Sequence, residues 1–135
     1  MLKGGIALSY QFICYPKCTT CQRARRWLME HDVPFAERDI KSDRPTAGEL
    51  ESWYRESGLP LKKFFNTSGL LYKSLALREK LPGMDEQEQL ALLATDGMLV
   101  RRPILVGKET VLVGFRGEEW ERRLGKGESS DGNAV

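Results

Sequence analysis

All three cysteines of this chain lie between positions 14 and 21, where an apolar strand pattern gives way to a helical one. Tyr10-Gln11-Phe12-Ile13-Cys14-Tyr15 is rich in aromatic and β-branched residues and runs into Pro16, which predicts a strand ending in a loop. From Thr19 to His31 the residues Ala24, Trp27 and Leu28 share one side of a helical wheel, with arginines between them. That spacing predicts an amphipathic helix with Thr19 or Thr20 at its N-cap. A strand, a short loop and a helix thus carry Cys18-Thr19-Thr20-Cys21 between them, and this fixes where the reactive groups of the chain must sit.

Further along, Val33 to Ile40 reads as a second strand. Thr46 and Glu49 have the spacing of a capping box at the head of a helix that runs through Leu50, Trp53 and Tyr54 to Gly58. Helical pieces are expected over Leu61–Phe65, Leu70–Leu81 and Asp85–Ala94, parted by Asn66-Thr67-Ser68-Gly69 and by Pro82-Gly83. Pro103–Gly107 and Thr110–Gly114 flank a Gly-Lys-Glu turn and predict a hairpin, after which Gly117–Leu124 reads as a closing helix. The order strand, helix, strand, helices, hairpin, helix describes an α/β domain with a mixed sheet of about four strands and flanking helices. Residues 1–124 are expected to form that domain. The stretch 125–135 contains Gly, Ser, Asp, Asn and Lys with little to bury, and is expected to be disordered.

With 135 residues, 41% of them hydrophobic, the chain can bury one core but not two. Its net charge of +2 balances 21 basic against 19 acidic residues, so no polycationic face points to direct nucleic-acid binding. No run of roughly 18 apolar residues predicts a membrane span, and the first dozen residues lack the pattern of a signal peptide. A cytoplasmic protein is expected. Three closely spaced cysteines make a poor scaffold for stapling a fold but suit reactive thiols.

A thiol reacts as its thiolate, and the N-terminus of a helix favours an anion through its dipole and unpaired N–H groups. Cys18 stands at that place and is the expected nucleophile. Cys21, in the first turn, is placed to attack an oxidised or substrate-bound Cys18 and close an internal disulfide. Cys14 lies within the strand and is read as a packed residue. The spacing Cys14-x3-Cys18-x2-Cys21 also matches a three-thiolate iron–sulfur motif, but Cys14 would have to leave its strand to take part. Zinc would need His31 as fourth ligand at an unfamiliar spacing, and that histidine is better placed to complement a helix C-terminus. No metal and no cofactor are therefore assigned.

Arg101-Arg102-Pro103 precedes an apolar strand, which marks a candidate cis bond at the proline. An arginine there has a permanent charge and a planar fork of donors for a thiolate or an oxyanion, although a solvated basic pair accounts for the same pattern. Arg23, Arg25 and Arg26 lie on the cysteine helix, where pairing with carboxylates is expected.

The segment Pro16-Lys17-Cys18-Thr19-Thr20-Cys21-Gln22-Arg23-Ala24-Arg25-Arg26-Trp27-Leu28, taken with Arg101-Arg102-Pro103, resembles the ArsC family of arsenate reductase-like proteins and Spx-type regulators. The likeness covers residues 10–124. It implies a thioredoxin-like fold with an inserted helical subdomain, and Cys18 as the redox-active cysteine. In arsenate reductases of this family the cysteine attacks arsenate and arginines bind the oxyanion. The match puts one such arginine at Arg102, beside Arg101, and a second near Arg116, while a third position falls on Asn66. That asparagine departs from the arsenate pattern. The C-x-x-C departs from reductases that rely on one cysteine and an external thiol, and matches the Spx-type switch. The resemblance thus implies either a thioredoxin- or glutaredoxin-coupled reductase or a redox switch acting on RNA polymerase.

Overall fold

A computed structural model describes residues 9–125. Its centre is a four-stranded sheet in the order β2-β1-β3-β4, with β1 at Tyr10–Cys14, β2 at Phe35–Asp39, β3 at Ile104–Val106 and β4 at Val111–Val113. β1 and β2 run parallel, with Phe12 opposite Glu37 and Cys14 opposite Asp39. β3 pairs antiparallel with β1 and with β4. The parallel pair needs a crossover helix, and α1 (Thr19–Glu30) supplies it.

Period-two alternation along the strands divides the interior into two layers. Phe12, Cys14, Leu105 and Leu112 face one way and pack with Cys21, Ala24 and Leu28 of α1, and with Trp120 and Leu124 at the end of the described chain. Ile13, Ile104 and Val111 face the other way, against Leu50 and Trp53 of α2 (Ala47–Ser57) and a group of short helices. These are a 3₁₀ turn at Leu61–Phe64, α3 (Leu70–Ser74), α4 (Leu77–Lys80), a 3₁₀ turn at Leu81–Gly83, α5 (Glu86–Leu93) and a 3₁₀ turn at Gly97–Leu99. Inserted between β2 and β3, they form the expected helical subdomain of a thioredoxin-like fold.

The caps explain the helix starts. Thr46 accepts from Glu49 N at 3.1 Å while Glu49 accepts from Thr46 N at 3.0 Å, and Asp85 and Glu88 repeat the exchange at α5. Three expectations are corrected. Thr19 and Thr20 belong to the first turn of α1, so the N-cap is Cys18, whose side chain makes no capping bond. The stretch Leu70–Leu81 is not one helix, because Ala76 takes a left-handed conformation at φ 56° and parts α3 from α4. The closing helix is regular only over α6 (Gly117–Trp120) and ends in a π-type turn at Glu121–Gly125. Apart from Gly125, the tail at 125–135 lies outside the described residues.

The insert is fastened to the sheet at two places. Residues 64–66 pair with 99–101 through Arg101 N to Phe64 O at 2.8 Å and Asn66 N to Leu99 O at 2.8 Å. At Gly97 a β-carbon would lie 1.8 Å from Ile40 O, so only glycine permits this approach to the end of β2.

Candidate functional site

After β1 the chain turns tightly. Cys18 N donates to Tyr15 O at 3.0 Å, Gln22 Nε2 holds Pro16 O at 3.1 Å, and Cys18 O accepts the first bond of α1 from Gln22 N at 3.0 Å. This places Cys18, partly exposed, at the N-cap of a twelve-residue helix with no acidic residue in its first turn. One turn on, Cys21 points inward, fully buried, and its sulfur accepts from Tyr15 N at 3.3 Å. All three thiols are unbridged.

Cys18 opens onto a cleft of about 1040 Å³. Arg23 of α1, Lys41 after β2, Asn66 before α3, and Arg101 and Arg102 before β3 share its lining, so basic side chains from three parts of the chain converge near one thiol. Asp96 is the acidic group of the lining, and its carboxylate is occupied by Met98 N at 2.9 Å. Arg102 is the most constrained of the cations. Its guanidinium carbon lies 5.3 Å from the centre of the Tyr15 ring, the Arg102–Pro103 bond is cis, and Nε and Nη1 are buried with no protein partner. Buried donors without acceptors are costly to leave unused, so these two suit an anion entering the cleft. Arg101 is exposed and lies over Gly114, whose φ of +79° favours glycine and where a β-carbon would come within 2.8 Å of Arg101 Nε.

The structure therefore brings together Cys18, Cys21, Asn66, Arg101 and Arg102. It does not bring in Arg116, which is exposed at the N-cap of α6 and outside the lining, although its neighbour Phe115 belongs to it. Asn66 is held by the insert's own backbone, with Nδ2 donating to Met98 O at 3.4 Å. Among the described residues no group of three or more His, Cys, Asp or Glu side chains is arranged to hold a metal ion, and no helix is long and apolar enough to cross a membrane. His31 caps the far end of α1, with Nδ1 2.8 Å from Trp27 O and its ring stacked on Trp27 at 3.8 Å.

Sequence reasoning missed the surroundings of Cys14. It is fully buried among the residues packed on α1, as expected, but its Sγ donates to Glu37 Oε2 at 3.3 Å and receives Arg25 Nη2 at 3.9 Å. Arg25 and Glu37 form an ion pair that closes this corner, as expected for an arginine on that helix. The neighbouring Cys14 side chain is the main reason the Cys21 thiol is held below its ordinary range; the Tyr15 N–H, Cys18 and the Arg102 charge act with it, and burial opposes. The Cys14 thiol is pushed up in turn, first by Cys21, then by burial and by Glu37.

Against known proteins, the ArsC family model matches residues 13–123. The uncharacterized protein YusI of Bacillus subtilis is 50% identical over 114 residues, covering 84% of this chain and 97% of that one. The global transcriptional regulator Spx of Enterococcus faecalis is 32% identical over 109 residues, covering 81% of each. The crystal structure of an ArsC family related protein from Bacteroides fragilis superposes with a TM-score of 0.83 at 54% identity, covering 86% of this chain and 98% of that one.

Proposed function

The chain belongs to the ArsC family, and from that premise we propose that it is a cytoplasmic thiol-dependent oxidoreductase with Cys18 as nucleophile and Cys21 as resolving thiol. The observation that carries this reading is that Cys18 and Arg102 line one cleft, Arg102 holding two buried donors without a protein partner, while Cys21 lies buried one turn along the helix from Cys18. In the proposed cycle the Cys18 thiolate attacks one sulfur of an oxidised substrate, releasing the other half as a thiolate and leaving a mixed disulfide. The Cys21 thiolate then attacks Cys18 Sγ, expels the bound thiolate and closes the Cys18–Cys21 disulfide. A thioredoxin or glutaredoxin returns two electrons to restore both thiols. Arg102 and Arg101 would hold the negative charge of the substrate or leaving group near the site.

A cleft of about 1040 Å³ is far larger than a tetrahedral oxyanion needs, and one family arginine position is occupied by Asn66. Both points favour a bulky disulfide-bearing substrate over arsenate. The experiment is NADPH consumption in a thioredoxin- or glutaredoxin-coupled assay, with and without arsenate. Turnover of a disulfide substrate that vanishes in Cys18→Ser, and stalls as a mixed disulfide in Cys21→Ser, is expected. Undiminished turnover in Cys18→Ser would overturn the reading, and arsenate-dependent turnover would restore the oxyanion as substrate.

A second reading has support in the likeness to Spx: a redox switch in which closing the Cys18–Cys21 disulfide alters affinity for RNA polymerase. Retention of polymerase on the immobilised protein in one redox state only, without turnover of any small disulfide, would favour the switch.

A further inference from the structure

The sheet topology sets an order along the edge at which Cys18 stands. β1 and β2 run parallel and both end there, while β3 begins there and β4 ends there. With the strands in the order β2-β1-β3-β4, this edge carries Lys41 after β2, Cys18 after β1, Arg101 and Arg102 before β3, and Phe115 after β4. The thiol is therefore flanked by a cation on either side. Neighbouring strands lie about 4.8 Å apart, so the backbones bearing Lys41 and Arg102 are roughly 10 Å apart across the edge. Both residues line the cleft onto which Cys18 opens.

The backbone at Lys41 is fixed from two directions. Ile40 N donates to Cys14 O at 2.8 Å, which carries the parallel ladder beyond the last residue of β2. Asp39 Oδ1 accepts from Lys41 N at 2.8 Å and from Ser42 N at 3.3 Å, so this carboxylate is engaged by the turn that presents Lys41. From the insert, Gly97 closes on Ile40 O, and a β-carbon there would also stand 3.3 Å from Lys41 Cα. Among the described residues neither Lys41 nor Arg102 takes part in a salt bridge. The two cations differ in shelter: Arg102 holds two buried donors without a protein partner, whereas Lys41 is exposed.

We propose that the cleft takes a small disulfide with a carboxylate on each half, held across Cys18 by Arg102 on one side and Lys41 on the other, so that Lys41 determines specificity. The inference rests on Cys18 being the nucleophile. A disulfide with one acid on each arm can reach both cations at once, whereas a tetrahedral oxyanion is too small to span them. In the exchange the Cys18 thiolate bonds to one sulfur, the S–S bond of the substrate breaks, and the other half leaves as a thiolate with its own carboxylate.

The test measures the second-order rate of Cys18 in the full chain with two aromatic disulfides. Dithiobis(nitrobenzoate) has a carboxylate on each half and dithiodipyridine is uncharged; dividing each rate by that of mercaptoethanol removes intrinsic reactivity. The native protein should prefer the dicarboxylate, less so as ionic strength rises. Lys41→Gln should lower the dicarboxylate rate about three- to fivefold, the worth of an exposed charge pair, and leave the dithiodipyridine rate unchanged. Lys41→Arg should restore it. Lys63→Gln removes an equal charge from the turn at Leu61–Phe64, outside the cleft lining, and should leave both rates at their native values. Both lysines are exposed, so these variants should melt at the native temperature.

A dicarboxylate rate unchanged in Lys41→Gln, or lowered equally in Lys63→Gln, would overturn the proposal. So would an equal loss of the dithiodipyridine rate in Lys41→Gln, which would mark a general disturbance of the site. Cys18→Ser reacting with both disulfides as fast as the native protein would remove Cys18 as the nucleophile, which is a different failure.

Discussion

The two faces of the sheet hold very different things. On the α1 face, a small layer of Phe12, Leu105, Leu112, Ala24, Leu28 and Trp120 encloses two of the three sulfurs, an ion pair at its edge and the base of the helix capped by Cys18. On the opposite face, a larger layer built from α2 and the short inserted helices is aliphatic and aromatic, with Phe64, Phe65, Leu90, Leu93 and Leu99 all essentially inaccessible. One face therefore concentrates the chemistry and the other contributes the mass of the core and the far wall of the cleft. The comparison teaches that stability and reactivity are separable in this chain, because they are carried by residues pointing to opposite sides of the same strands.

The sharpest test of that separation is Cys18→Ser. All thiol exchange should be lost in the coupled assay, while thermal unfolding shows no loss of stability. A gain of about 0.5–1 kcal/mol is expected, since serine is a better N-cap than the non-capping cysteine. Leu93→Ala, on the opposite face and fully buried, should do the reverse. Urea unfolding should show a loss of about 2–5 kcal/mol, with the rate of Cys18 unchanged in the molecules that remain folded. A parallel fall in that rate would join the two faces after all.

Within the α1 side, Arg102→Met should slow the reaction of Cys18 with an anionic disulfide by about 10- to 100-fold, the worth of charge-assisted hydrogen bonds in a sheltered site. Arg116→Met, outside the cleft lining, should leave it near the native rate. The smallest effect concerns acid stability. Arg38, donating to Glu49 Oε1 and Oε2 at 2.9 Å each, holds the Glu49 carboxyl down at about 2 from an unfolded value of 4.5. Its folded value is the lower one, so the stabilisation is complete above about 4.5 and lost as the pH falls towards 2. The pair is partly exposed, which limits it to under about 1 kcal/mol, and Arg38→Met should flatten the pH dependence of the melting temperature over that window.

What could be read in advance was local. β1, α1, the hairpin and the Thr46–Glu49 capping box are encoded in nearby residues, and the structure has them within a few positions of expectation. The break at Ala76 was illegible because neither glycine nor proline marks it; only packing of the insert imposes a left-handed alanine there. Arg102 could be singled out only through the resemblance, since its basic neighbour Arg101 offers the same chemistry in the sequence. Lys41 and Arg23 reach the cleft from elements whose relative placement depends on tertiary packing. The pairing of Cys14 with Glu37 depends on the parallel register of β1 and β2, which no periodicity records, so Cys14 read only as a residue to be packed.

The aromatic residues behind the cysteine helix give the protein a built-in optical reporter. Phe115 lines the cleft and meets Trp120 edge-on at 4.8 Å, and Trp120 in turn meets Trp27 at 5.7 Å. Trp53 belongs to the opposite face, under the Arg38 guanidinium. Occupancy of the cleft should thus change the emission of two indoles and leave the third as an internal standard. A Trp53→Phe variant would isolate the signal of the α1 face, so that ligand entry and disulfide closure can be followed in real time without an added dye.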